Sequence, residues 1–559
     1  VEFSQTIPLQ TSSPFPITVG DLHSQSQVMA RQDGIPLLIG NHYGWGQVYL
    51  LTVDPVLEPL RNWDGLIDFY SSLFSAQSAT PAWAHGVTDW DSARQAAGTL
   101  PDMAIPSLLG ILCFLCGYAV VIGPINFLIL RALKKRELAW ITIPGIVLIF
   151  SLAAILIGNI SRGTRPILNR LAVVQAWPDI GQASIAGVVG VYSPRPSTLD
   201  LMTGSDVLLH PITDSYNITP TDVTFLTNDN SLTLPDLHVA AGGTQSLAFE
   251  SSLPSPSITS SLSIEIDSSG VSLRGSLTNN SQLTYSDAVL LFPGGSLVIG
   301  DFSPGQTRSL DLPLTKTQYQ GNAPGTVIYN KAIPSWSGSN WGYPQDTTIA
   351  DIVGNPDYYS EKADYRRYLL LSTHLSYDTL PMRGAGIYLT GWADSMPVEI
   401  NLGDVSPTLY DTSLYIFNLT PTIINSGSSW LLTAGVFTWD FTSSNPAYNI
   451  SPYQTELLSN EDRSYIFSLA YPISFAAVDR LDINLTTSLG VFPIELDVYL
   501  WDYIQEQWIQ QDIGRWGTYS ISNASRFVSL DGQIQLRLNN TGFTPLYLET
   551  SDITLRVIP

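Results

Sequence analysis

Hydrophobic and polar positions change rhythm twice along the chain. From Ile105 to Leu130 no position carries a charge, and from Leu138 to Ile160 the same holds, giving runs of 26 and 23 residues. At about 1.5 Å of rise per residue, each run is long enough as a helix to cross a hydrocarbon core of ~30 Å. Arg131, Lys134, Lys135 and Arg136 crowd the short stretch between them. The pattern predicts a transmembrane helical hairpin over 101–162. Beyond it the period drops from helical to two, in short runs ending at Asn, Gly, Pro, Ser and Asp, as from Val271 to Asn279 and from Ile494 to Asp502. That rhythm predicts β-sandwiches.

The fold expected is therefore mainly β, sandwich and jelly-roll-like, with a two-helix hairpin and a partial α/β piece at the start. The expected domains are 1–100 (partial α/β), 101–162 (hairpin), 163–315 (β-sandwich), 316–428 (α+β insert, with a helix from Ser360 to His374) and 429–559 (jelly-roll-like sandwich). Within 1–100, Pro36–His42 and Gln47–Val53 read as a β-hairpin. Leu60, Trp63, Ile67, Tyr70 and Phe74 then recur at helical spacing after Pro59. One hairpin and one helix bury too little to stand alone. Residues 36–76 are expected to pack against an α/β portion supplied upstream or by another subunit.

Short loops dense in Lys and Arg stay on the cytoplasmic side, so both long tails are expected outside, at the cell membrane. Arg162, Arg165 and Arg170, just past the second run, count against this orientation. Arg131, Lys134, Lys135 and Arg136 are the expected cytoplasmic anchor, and membrane lipid the expected surroundings. Cys113 and Cys116 share a helix face three residues apart. With no cation near them to stabilise a thiolate, they are expected to be packing residues, as is the intramembrane Asn126. Pro124 and Pro144 are expected to bend their helices.

A resemblance rests on the string from Gly44 to Pro55 (Gly-Trp-Gly-Gln-Val-Tyr-Leu-Leu-Thr-Val-Asp-Pro), then on Pro59, Leu60, Arg61 and Trp63. It extends through Gly123-Pro124 and Arg136-Glu137-Leu138-Ala139-Trp140. These segments resemble an uncharacterised family of large bacterial membrane proteins with a glutamine-amidotransferase-like domain before a transmembrane pair. The resemblance implies that 1–100 is the closing part of such a domain, and it brings no catalytic residue onto this chain. An amidotransferase needs a nucleophilic cysteine with a histidine partner. Both cysteines here fall in the apolar run.

Composition narrows the function. Forty-eight acids against 25 bases give a net charge of −23, and charged residues are only 13% of the chain. Such a surface repels phosphate backbones, so nucleic acid is not an expected partner. The six histidines are scattered singly and no phosphate-binding or nucleophile-elbow motif occurs, so no cofactor, metal or catalytic residue is assigned. The acidic pairs Asp89/Asp91 and Glu461/Asp462 read as solvated turns. Trp336, Trp341 and Tyr343 in a Gly/Ser-rich stretch are candidate sugar contacts. The reading is a non-enzymatic, membrane-anchored extracytoplasmic scaffold or accessory subunit of a cell-envelope complex, with other envelope subunits as partners. The alternatives are a surface carbohydrate-binding protein or an accessory subunit of an export system.

Overall fold

The computed structural model describes residues 16–21, 26–70 with short gaps, 84, 86–101, 108–163, 165–212, 224–228, 231–292, 295–314, 362–374, 386–443, 450–487 apart from 453, 495–529, 532–548 and 550–559. It is mainly β, in several sheets, with two long apolar helices.

Three antiparallel strands open the described chain: β1 (Gln27–Gln32), β2 (Ile35–Tyr43) and β3 (Gly46–Leu51). The hairpin read from the sequence is β2 and β3, and β1 adds a third strand beside it. Helical backbone after Pro59 is confined to 66–70 among the described residues, with turns from 55 to 62. The expected apolar face divides accordingly. Leu60 is buried, Trp63 and Tyr70 are half-buried around Leu38 and Phe69, and Ile67 is 81% exposed; Phe74 lies outside the described residues.

Helix α1 (Trp90–Gly98) follows, then the apolar pair. Helix α2 runs from Leu108 to Ala132, passing through a π-helical turn at Val121–Ile125 that contains Pro124. Proline lacks the N–H of a regular turn, and one widened turn absorbs the misfit. Helix α3 (Ala139–Arg162) carries Pro144 within it. Leu109–Ala132 and Arg136–Gly158 are long and apolar enough to span a membrane. They meet through Phe150, whose ring lies 5.5 Å from Phe114 and 5.2 Å from Tyr118.

An eight-stranded sheet begins directly after α3. In chain order its strands are β4 (Ile167–Trp177), β5 (Gln182–Ser193), β6 (Val207–Pro211), β7 (Gly243–Pro254), β8 (Tyr285–Phe292), β9 (Gly295–Phe302), β10 (Ile387–Ala393) and β11 (Thr408–Leu419). Their order across the sheet is β9-β8-β10-β11-β4-β5-β7-β6, antiparallel except where β11 runs parallel to β4. Strands β4 and β5 are buried almost throughout instead of alternating, because both faces of the sheet are covered. One face carries α1 and helix α4 (Lys362–His374), packed on Leu171, Val173, Val188, Leu414 and Ile416. The other face packs its Leu168, Val174, Tyr415 and Phe417 against two four-stranded sheets. Strands β10 and β11 thus join the strands of 167–302 in one sheet, so the boundary expected at 315/316 does not divide two sheets.

The region from Trp430 to Ile558 pairs a four-stranded with a five-stranded antiparallel sheet around Trp439, Tyr465, Phe467, Leu500 and Leu536. Its apolar core is continuous with that of the preceding sheets. The joint is close: Thr433 donates to the carbonyl of Leu314, and a Cβ at Gly435 would lie 2.7 Å from that same oxygen.

Candidate functional site: a polar clamp at the base of the hairpin

Helix α1, before the apolar pair, and strand β4, after it, meet on one sheet at a point built from buried polar residues. Side chains alternate across a strand, so neighbours Asn169 and Arg170 on β4 face opposite layers. Asn169, fully buried, lies on the helix side. Its Nδ2 is 3.1, 2.9 and 3.1 Å from the carbonyls of Ala96, Ala97 and Thr99, the last turn of α1. A helix leaves its final carbonyls without intrahelical donors, and this amide supplies them from another element. Its Oδ1 accepts from the Arg366 guanidinium of α4 at 2.7 Å, which fixes the orientation of the amide, since a flipped one would face donor to donor.

Arg366 is 5% exposed, and burial lowers its pKa to about 10 against the opposing pull of Asp394 and Asp411. It stays charged at neutral pH. Arg170 points to the other face and grips Asp411, its register partner on β11, through Nε at 2.8 Å and Nη2 at 2.7 Å, while Nη1 donates to Ile400 O at 3.1 Å. The only parallel strand pair in the eight-stranded sheet is therefore joined by a bidentate ion pair as well as by its ladder.

The N-terminus of α1 is fixed with equal care. Asp89 is its N-cap, accepting from the backbone of Asp91 and Ser92 at 3.0 and 3.1 Å. The Thr88 and Asp89 amides donate to Thr373 O at the end of α4. Beside it His374 is 1% exposed, its Nδ1 2.6 Å from the Thr373 hydroxyl, and burial pushes its pKa down to about 4. Gly190 on β5 admits the helix, since a Cβ there would stand 2.1 Å from Ala97 O.

The residues singled out from sequence fall elsewhere. Cys113 and Cys116 are exposed along α2 within this chain. Asn126 is buried at 7%. Arg131, Lys134, Lys135 and Arg136 form the turn between α2 and α3 and line one concavity there. Trp336, Trp341 and Tyr343 lie outside the described residues. Asp89 caps α1 while Asp91 pairs with Arg94 at 3.3 Å. Glu461 is buried on Arg463 at 2.5 Å, whereas Asp462 turns outward to Arg537, so these two carboxylates do not converge on a common point. Among the described residues no three His, Cys, Asp or Glu side chains gather as metal ligands. Sequence reading counted Arg170 only as a loose juxtamembrane charge and passed over Asn169, Arg366 and Asp411. The available signal was an Asn-Arg pair inside an apolar strand, where a polar group needs a partner.

Residues 257–422 match a family described as a domain of unknown function (DUF8725), and residues 431–557 match another so described (DUF8815). Neither match reaches the N-terminal piece. A comparison with curated proteins gives no match. Among solved structures, the yeast delta-COP-I mu-homology domain complexed with a Dsl1 WxWxV peptide is similar at 10% identity, covering 47% of this chain and 98% of that one, with a TM-score of 0.21. The Fcho1 mu homology domain of Danio rerio with a bound Eps15 peptide gives 9%, 47%, 98% and 0.23. A family 32 carbohydrate-binding module of C. perfringens NanJ with galactose gives 10%, 22%, 93% and 0.15.

Proposed function

We propose that the chain is a non-enzymatic, membrane-anchored scaffold of the cell envelope, in which the hairpin crosses the membrane and holds a rigid β-rich body on the extracytoplasmic side. The clamp carries this reading. Asn169 ties the end of α1, upstream of the hairpin, to β4, downstream of it, so elements on both sides of the hairpin are held on one sheet. A mere tether needs no such fixation, whereas a scaffold that must hold its surface at a set height and angle does. Ion pairs with at least one buried partner act in the same sense. Arg170–Asp411, Arg463–Glu461 and Asp502–Arg526 each join separate segments or stiffen one strand. Pairing Arg170 with Asp411 also removes one of the charges that counted against the outward orientation.

The test is site-directed labelling in a Cys113→Ser/Cys116→Ser background. Ala132→Cys should react only from the cytoplasmic side and Ser426→Cys only from outside, and partner subunits should co-purify in mild detergent. The reverse labelling pattern, or release of the chain by alkaline carbonate without detergent, would overturn the proposal.

A further inference from the structure

The turn between α2 and α3 departs from what helix chemistry favours. Lys135 N donates to Leu130 O at 3.1 Å and Lys134 N to Arg131 O at 3.2 Å. These are the two bonds of a Schellman ending, whose left-handed residue is ordinarily glycine. Here that residue is Lys134, at φ 52°, and a non-glycine residue is disfavoured in this region. Around it Arg131, Lys134, Lys135 and Arg136 line a concavity of about 590 Å³, with Glu137 as the one carboxylate on its wall. Arg136 is held over the Phe127 ring at 5.8 Å. Arg131, Lys134 and Lys135 have no ion-pair partner among the described residues. Four cations against one acid, in a chain with an overall excess of acids, make a local anion site.

Resting on the membrane reading above, we infer that this turn is a seat for the phosphodiester headgroup of an anionic phospholipid. The neighbouring surface selects a lipid over a soluble anion. Leu133 and Leu138 at the rim are exposed, Trp140 is 88% exposed, and apolar helices of 24 and 23 residues run away from the turn. Acyl chains can therefore lie along the helices while the phosphate occupies the basic hollow, with tryptophan at the interface level. Lysine in place of glycine then adds a cation to the seat at the expense of backbone ease.

The test uses the full chain in nanodiscs and in detergent. In native mass spectrometry after exchange into equal phosphatidylglycerol and phosphatidylcholine, the protein should retain the anionic lipid preferentially. Lys134→Gly relaxes the turn and Lys135→Gln keeps its length. Each should lower that retention about fivefold, at roughly 1 kcal/mol per cation, with thermal stability held or raised in Lys134→Gly. Equal retention of both lipids, or unchanged retention in the double variant, would overturn the inference. Displacement of the lipid by millimolar glycerol phosphate would make it a soluble-phosphate site and overturn it likewise. Carbonate extraction of membranes from cells expressing the same variants, before detergent is added, separates this failure from failure of membrane anchoring, because the variants should remain membrane-embedded.

Discussion

Asn169 gives one side chain to four partners on two helices, so its replacement leaves several buried groups unpaired. Each such group costs about 1–3 kcal/mol. Asn169→Leu should therefore lower thermal stability sharply and expose the 88–100 segment to protease. Asn169→Asp separates the two roles of the amide, since it keeps an acceptor for Arg366 but sets an oxygen against three carbonyls. It should be destabilised as well, and wild-type stability in Asn169→Asp would show that the end of α1 needs no donor. His374 makes a pH prediction. Its folded pKa of about 4 lies below the free value of 6.5, so the unfolded chain takes up a proton in this window and the folded chain does not. Stability should be fully present above pH 6.5 and decline as pH falls toward 4, by about 3 kcal/mol in all. His374→Gln should flatten that slope in pH-resolved thermal melts, and an unchanged slope would reject burial of the neutral ring.

Between elements, what sequence could reveal depended on how far apart the interacting residues lie. The apolar helix pair was legible because each helix is one unbroken uncharged run, and so was the β2–β3 pair, whose strands lie next to each other in sequence. The clamp was not, since Asn169 reaches back about 70 positions and Arg366 forward about 200. The end-to-end burial of β4 hides the alternation that would have told its two faces apart. The helix expected after Pro59 is helical at 66–70, and its remainder to Phe74 lies outside the described residues; spacing alone cannot say whether Ile67 finds a neighbour. The approach of α1 to β5 offers a direct check on the packing. Gly190→Ala places a methyl into the Ala97 carbonyl, where neither backbone can yield easily, and should cost about 1–3 kcal/mol. Gly98→Ala is the matched control, because its space is open and its backbone lies outside the left-handed region. If Gly190→Ala melts no lower than that control, α1 does not dock as described.

For the whole molecule, the strand order dictates a sequence of events during biogenesis. Strands β10 and β11, from residues 387–419, fill the middle of the eight-stranded sheet between β8 and β4. Until they leave the ribosome, β4 to β7 on one side and β8 with β9 on the other are two half-sheets with open inner edges. Such edges recruit other strands. By then α2 and α3 have long been synthesised, so on the membrane reading proposed above insertion would precede completion of the sheet, and the half-sheets would wait near the membrane surface for their centre. A chain stopped at residue 380 should insert normally yet aggregate or be degraded, whereas one stopped at residue 428 should survive. Pulse-chase of the two truncations reads the difference, and equal lifetimes would count against it. Such a protein calls for an attendant chaperone during the interval in which the last-made strands are still missing from its centre.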